Sequence, residues 1–508
     1  MSRFLRQEGL VYQNKVEALK IAIIGENQNL KNALQQISEQ LGISKFPYPE
    51  NEADYKIILD KAEYFSESEE NNCLRLLFLH DGVKLTDIYD TKGGSPSLIQ
   101  LPAFAMIGAS LALQEVIRRS NCIRRVNIVN KQIKIEYRID TSGYEGNHSE
   151  LREFQMAGPD GSFIPFKIMP LEDDSGHIKL VSSLDLSNQD VNEILESTEL
   201  LDMVQPQQEI QASVVEFRVP RQTGMVSGSA AIVGSGGLGS WALYAASKGL
   251  QNAGCSGAGI ELAIFDPDMN VEPHNLNRQI LFNQKDLGNP KAPAAAKKIK
   301  EILPYSDILF GIQNIGMAEL DSIDLKVHNG EEESKIEEID LGVELSILSP
   351  QTINDVFSRS KAIVSCVDNL RTRVILSAIS SKVNIPLINA GAAGWSGQLD
   401  IIIPPKGCMI CRYGEGIARN KKIVSCQEDN EIPVSSIVTS TSIFGAIQGL
   451  ALLASLSNES DLLQSWPKQL FWGGRSNNIS VVPEDSSFPF STCDTTHEEH
   501  QISALQTV

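Results

Sequence analysis

The sequence predicts an α/β protein in which a Rossmann-like unit occurs twice, with a small β-rich insert between the copies. Three observations carry this expectation. Short apolar runs alternate with stretches of helical periodicity, the pattern of a parallel sheet covered by helices. A glycine cluster, "GSGGLG" at 234–239, falls between one apolar run and the helix that follows it. Landmarks of the C-terminal part also recur in order near the N-terminus.

In residues 1–140, "LKIAIIG" (19–25) reads as a strand and "LKNALQQISEQLG" (30–42) as a helix. "LRLLFLH" (74–80) reads as a second strand and the alanine-rich stretch 103–118 as a second helix. Residues 141–220 turn polar and are punctuated by Gly, Pro and Asp, with "SVVEFRV" (213–219) as a β-prone exception. They are assigned to a linker or inserted β-rich module. The α/β pattern returns over 221–508: "AAIVG" is a strand, "LGSWALYAASKGL" a helix, and "IELAIFD" (260–266) and "AIVSCVDN" (362–369) are further strands. "IAIIGENQNL" (21–30) aligns with "AAIVGSGGLG" (230–239) when Gly25 is set on Gly234. "AMIGASLALQEVI" (105–117) aligns with "SIFGAIQGLALLA" (442–454) when Gly108 is set on Gly445. Asn27, Gln28 and Leu30 stand in the first copy where the second has its loop. That half is expected to be degenerate and to hold no nucleotide.

At 508 residues, with 42% hydrophobic and 21% charged residues, the chain is long and apolar enough for several buried cores. The net charge of −20 speaks against a nucleic-acid-binding protein, because phosphate contacts need clustered Lys and Arg. The acidic run "EEESKIEE" (331–338) reads as a solvated surface. Eight cysteines are spread along the chain without a signal peptide, which fits a cytoplasmic protein whose thiols are free for metal or catalysis. Two stretches, 98–117 and 437–456, reach the ~20 residues of a membrane span. Pro102, Gln114 and Glu115 in the first, and Gln448 with many Ser and Thr in the second, point instead to buried helices, so no membrane segment is expected.

Chemistry concentrates in the C-terminal region. Gly234, Gly236, Gly237 and Gly239 lie at a strand-to-helix turn, where glycine lets phosphate approach the backbone and the helix N-terminus faces it. Asp266 ends the next strand, where a carboxylate can hydrogen-bond a ribose hydroxyl. Asn275, Arg278 and Lys291 follow within a short stretch. An amide and two cations there suit a triphosphate better than the pyrophosphate of NAD. Asp368 ends a later strand and is a candidate Mg²⁺ ligand. Nothing in the chain looks like a hydride-transfer site, so a dehydrogenase is disfavoured.

Taken in succession, "GxGGLG", "DPDxxxxxxNLNRQ", "NPKA" and "SCVDN" resemble the MoeB/ThiF/ubiquitin-activating-enzyme superfamily over about residues 225–495. The resemblance implies a duplicated adenylation fold in which Asp266 binds the ATP ribose, Asn275, Arg278 and Lys291 the phosphates, and Asp368 the Mg²⁺. One extra residue between Asp268 and Asn275 leaves Asp268 without an assigned role. "SRFLRQ" resembles the family's opening motif, which makes Arg6 the candidate arginine finger reaching a neighbouring half's ATP site.

"GCMIC" supplies Cys408 and Cys411 at the spacing that lets two thiolates grip one Zn²⁺. Relatives add a second C-x-x-C near the end. Here "STCDTTHEEH" offers Cys493 as third ligand and His497, or else His500, as fourth. Cys426 lies in the loop that, in thioester- or persulfide-forming members, carries the reactive thiol. Cys73, Cys122, Cys255 and Cys366 read as core. The resemblance therefore implies an ATP-dependent enzyme, using Mg²⁺ and a structural Zn²⁺, that activates a ubiquitin-like or β-grasp carrier protein. It would adenylate the carrier's C-terminal glycine, form a thioester on Cys426 and hand the carrier to a conjugating enzyme. The pairing of an inactive and an active half in one chain resembles the activating enzymes of bacterial ubiquitin-like conjugation operons linked to antiviral defence. Sulfur-carrier adenylation for thiamine or molybdopterin, and adenylation of a peptide C-terminus without a thioester, stay open. So does the choice between a monomer with an internal pseudo-dimer and a homodimer.

Overall fold

The computed structural model describes residues 3–4, 7, 10–59, 72–87, 93–120, 122–123, 126–129, 132–140, 153–157, 163–170, 177–185, 214–322, 337–340, 344–348, 353–414, 436–459, 461–482 and 496–506. The N-terminal α/β unit starts with β1 (Ile21–Ile24), α1 (Gln28–Leu41) and β2 (Tyr55–Leu59), followed by β3 (Cys73–Phe78), β4 (Gly82–Thr86) and α2 (Leu101–Arg119). Asn27 starts α1 by accepting the Leu30 N–H at 3.1 Å, and Gly42 ends it in the left-handed region at φ 86°. β1, β2 and β3 run parallel and β4 antiparallel to β3.

A second sheet follows, built only of antiparallel pairs in the order β5-β6-β9-β8-β7. Its strands are β5 (Val126–Val129), β6 (Gln132–Asp140), β7 (Glu153–Ala157), β8 (Phe163–Pro170) and β9 (His177–Asp185). These strands run from Val126 to Asp185. β10 (Val214–Arg218) is the strand expected from "SVVEFRV". It pairs antiparallel with β4 and closes the order β1-β2-β3-β4-β10.

The C-terminal unit opens with β11 (Gly228–Val233), α3 (Gly237–Asn252), β12 (Ile260–Phe265), α4 (Lys291–Ile302) and β13 (Asp307–Gly311). It continues with β14 (Glu337–Asp340), β15 (Glu344–Ile347), β16 (Ser360–Ser365), α5 (Leu370–Val383), β17 (Leu387–Ala393), β18 (Ser396–Ile402) and α6 (Met409–Tyr413). α7 (Val438–Leu456), β19 (Gln469–Gly473), β20 (Asn478–Val481) and α8 (His497–Gln506) complete it. Its ten strands form one sheet in the order β14-β15-β13-β12-β11-β16-β17-β18-β19-β20. The block from β15 to β17 is parallel and the edges are antiparallel, so the architecture is mixed α/β and Rossmann-like.

α2 and α7 are the two stretches of membrane-span length, and both are buried within the fold. A helix apolar on every side needs partners on every side. α7 packs on α3, where a Cβ at Gly445 would lie 2.7 Å from the Leu238 carbonyl oxygen. α2 packs on its own sheet, where a Cβ at Gly108 would lie 2.7 Å from Val83 Cγ2 and 2.9 Å from Leu76 Cδ1. The two glycines that align in sequence thus allow close approach to different surfaces. α2 and α7 also touch each other, with the Ser110 and Ser442 hydroxyls 2.6 Å apart. Thr439 Oγ1 donates to Gln114 Oε1 at 2.7 Å, and Gln114 Nε2 donates to the Gly474 carbonyl at 2.7 Å. Asn477 bridges the units, accepting from Trp472 Nε1 at 3.1 Å and donating to the Leu111 carbonyl at 3.0 Å and to Glu115 at 3.3 Å.

Candidate nucleotide-binding and metal sites

β13, β12, β11 and β16 lie side by side and parallel, so their carboxyl ends face one way, toward the crevice at which parallel α/β sheets bind ligands. β11 stops at Val233 because Gly234 turns at φ +94°. A Cβ on Gly234 would lie 2.7 Å from the Cys366 carbonyl oxygen, and one on Gly239 would overlap the Gly234 carbonyl oxygen. Only glycine fits these two positions. Gly236 is the N-cap of α3 and no side chain caps it, so the first N–H groups of α3 are left for an incoming anion.

Asp266 is buried at the end of β12. Its carboxylate accepts from Ser235 N at 2.6 Å, Ser235 Oγ at 2.8 Å and Asp268 N at 3.0 Å. Burial pushes this carboxyl up from its ordinary range, and the Lys291 charge works against that rise. Lys291 opens α4, is 5% exposed, and forms an ion pair with Asp268. Arg278 is buried across the start of α3, with Nε 3.7 Å from where a Cβ on Gly237 would stand. Its Nη1 donates to the His274 carbonyl at 2.7 Å, and its own carbonyl accepts from Trp241 Nε1 at 2.9 Å. Asn275 spends its side-chain oxygen on the Glu272 N–H at 2.9 Å, so its amide nitrogen is what remains for a phosphate. Asp368 is exposed just past β16, and Asn369 after it caps α5 by accepting the Thr372 N–H at 2.7 Å. The glycines, Asp266, Arg278, Lys291 and Asp368 are thus brought to the carboxyl end of the central parallel strands.

Among the described residues, Asn277 Nδ2 beside Arg278, Gln279 Oε1 beside the glycine turn and Gln313 Nε2 just past β13 are buried with no hydrogen-bond partner. Gln279 Nε2 lies 3.9 Å from the Cβ position of Gly236, beside the phosphate loop. Unpaired buried amides are costly, and a bound nucleotide would supply their partners. The donor set fits ATP on that ground. Sequence reasoning missed Ser235 and Arg373. Arg373 is buried and ties the strand ends together, with Nη1 on the Ala390 carbonyl at 2.5 Å and on Asn389 Oδ1 at 3.0 Å. The only local sign of it was a cation one turn into a helix.

A second cluster lies where α6 meets α8. Cys408 Sγ and Cys411 Sγ are 3.4 Å apart, and Cys411 Sγ is 3.4 Å from His497 Nδ1. The donor atoms of Cys408, Cys411 and His500 all lie within 4.8 Å of one another. His497 and His500 stand one turn apart on α8, which is held to α5 by Gln501 Nε2 donating to Ser381 Oγ at 3.1 Å. Two thiols and two imidazoles are a donor set suited to Zn²⁺. Burial and the neighbouring His500 push the His497 imidazole pKa down, toward the neutral form that binds metal. Arg6, Cys426 and Cys493 lie outside the described residues. The chain re-enters beyond Cys426 at Ser436, paired to Gly394 just past the end of β17. Cys73, Cys122 and Cys366 are buried, and Cys255 is partly exposed at the core edge. The Cys366 thiol is pushed up to about 12 by burial and donates to Gln448 Oε1 at 3.3 Å.

The parallel block and its glycine turn define a Rossmann-like α/β protein. The ThiF family model matches residues 209–486, more than half of the chain, and the chain belongs to the ThiF family. It is 28% identical over 185 residues to the sulfur carrier protein ThiS adenylyltransferase of Escherichia coli (strain K12), covering 36% of this chain and 57% of that one. The SAMP-activating enzyme E1 of Haloferax volcanii is 24% identical over 260 residues, 51% of this chain and 77% of that one. The adenylyltransferase and sulfurtransferase MOCS3 of Arabidopsis thaliana is 28% identical over 283 residues, 54% and 51% respectively. The match to the first of these spans little more than half of the relative's length. Among solved structures, Escherichia coli MccB with ATP aligns over 50% of this chain and 62% of its own at 18% identity, with a TM-score of 0.35.

Proposed function

We propose that the chain uses ATP to adenylate the C-terminal carboxylate of a ubiquitin-like or sulfur-carrier β-grasp protein. The observation that carries this reading is the convergence of the glycine loop, Asp266, Arg278 and Lys291 on one crevice whose buried amides lack partners. The relatives named above as adenylyltransferases and activating enzymes support it. In the reaction a carboxylate oxygen bonds to the α-phosphorus, the bond to the α–β bridging oxygen breaks, and pyrophosphate carries away the electron pair. Asp266 holds the ribose, the N-terminus of α3 and Asn275 bind phosphate oxygens, and Arg278, Lys291 and Arg6 stabilise the charge that develops. Asp368 would hold Mg²⁺, which neutralises phosphate charge when bound.

The N-terminal half is read as nucleotide-free. Where Gly234 stands beside Asp266 in the registered pair β11–β12, Gly25 stands beside Leu59 in β1–β2, and Asn27 satisfies its own helix start. Cys408, Cys411, His497 and His500 are proposed to hold a structural Zn²⁺ that pins α8 to α6. For the downstream step, Cys426 attacks the acyl-adenylate, forms a thioester, expels AMP and passes the carrier to a conjugating enzyme. The names of the relatives equally support a sulfur-carrier substrate, for which Cys426 need not form a thioester. ATP–pyrophosphate exchange in the presence of candidate carriers tests adenylation. Non-reducing gels of wild type and Cys426→Ala test the thioester. Exchange without any thiol-sensitive adduct removes the thioester step, and no exchange with any carrier removes the whole reading.

A further inference from the structure

The residue whose role the sequence left open, Asp268, sits between the two groups that define the nucleotide crevice. Its carboxylate pairs with Lys291 Nζ, and the side chains of both are mostly shielded, at 21% and 6% exposure. Its main-chain carbonyl accepts from Lys291 N at 3.0 Å, which fixes the first residue of α4. Its main-chain N–H donates to Asp266 Oδ1 at 3.0 Å. One residue thus holds the ribose carboxylate by its backbone and the phosphate lysine by its side chain.

This arrangement has an electrostatic cost. A lysine is a mobile point charge on a flexible stem, and pairing it with a fixed carboxylate removes that freedom. The same carboxylate places a negative charge beside the position of a triphosphate and partly neutralises the lysine before ATP arrives. Ground-state ATP is therefore bound less tightly than the cations alone would allow. As the bond to pyrophosphate breaks, more negative charge collects on the leaving oxygens, and a lysine already held in place answers it without reorganisation.

We propose that Asp268 is a positioning residue that moderates Lys291 toward bound ATP and holds it in place for the departing pyrophosphate. This rests on the adenylation reading above. Asp268→Asn removes the charge while keeping the volume, the N–H to Asp266 and the carbonyl to Lys291. Three consequences follow for the purified full chain. Adenosine affinity by calorimetry stays unchanged, because the backbone contact to Asp266 is intact. ATP binds more tightly, by about threefold or more, while the turnover number of ATP–pyrophosphate exchange falls by about tenfold or more. In a Lys291→Ala background the same substitution changes neither quantity further. General damage to the site would raise the KM for ATP as turnover falls, opposite to the expected split. Weaker or unchanged ATP binding in Asp268→Asn, or an undiminished effect in the Lys291→Ala background, overturns the proposal. Absence of exchange in the wild type with every carrier defeats the adenylation reading, and the paired ATP and adenosine titrations still decide whether Asp268 tempers Lys291.

Discussion

Replacing Gly234 by alanine tests the crevice at its narrowest point. Two costs add. The backbone there has φ +94°, where an L side chain costs about 1–2 kcal/mol. The new methyl would lie 2.7 Å from the Cys366 carbonyl oxygen and 2.9 Å from its carbonyl carbon, so backbone must shift, at about 1–3 kcal/mol. The sum is a destabilisation of about 2–5 kcal/mol. Gly254→Ala isolates the first cost, since Gly254 has φ +76° with nothing within 4 Å of its Cβ position. Urea unfolding of both variants should show Gly234→Ala to be the worse by about 1–3 kcal/mol. The shift also moves Cys366 and so the strand end that carries Asp368. ATP affinity by calorimetry should therefore fall at least about tenfold in Gly234→Ala and stay level in Gly254→Ala. Equal destabilisation of the two variants, or unchanged ATP affinity in Gly234→Ala, would refute the close-approach reasoning.

Cys411→Ser or His500→Ala should lower bound zinc, measured by mass spectrometry, from about one ion per chain. In the wild type, a chelator should speed hydrogen exchange in residues 497–506, because α8 loses its anchor. Asn477→Ala strips partners from the buried Trp472 indole N–H and the Leu111 carbonyl, and should cost about 2–4 kcal/mol in urea unfolding. A loss under about 0.5 kcal/mol would mean that water replaces the amide. The Cys366 thiol, held neutral up to about 12, should resist iodoacetamide at pH 8 in the native chain and react once urea unfolds it, as read by peptide mass mapping. Its raised value also favours the folded state up to the ordinary thiol range, an advantage lost as pH rises from there toward about 12.

What was legible in the sequence was local. The glycine turn, Asp266 at the end of its strand, and the Arg278–Lys291 series each announce themselves over a few residues, because strand ends, helix starts and phosphate loops obey short-range rules. The role of Asp268 was not legible, since its pairing depends on how α4 returns to the end of β12. The pairing of β10 with β4 was hidden for a similar reason: an edge pairing across more than a hundred residues leaves no periodic trace. At the thiol site the spacing of Cys408 and Cys411 could be read directly, but the closeness of His500 came from the docking of α8 on α5. Gly108 and Gly445 carried a sequence echo whose packing partners differ, because small residues serve any close approach.

The pairing of α2 with α7 has a consequence for how the chain is made. The ribosome finishes α2 at Arg119 and starts α7 at Val438, more than three hundred residues later. At about 5–20 residues per second, α2 waits roughly 15–60 s for its partner. Through that interval an apolar helix that the finished fold buries on nearly every side has α1 and its own sheet to lean on but neither α3 nor α7. The nascent N-terminal half is thus the stage of synthesis most exposed to aggregation and most in need of a chaperone.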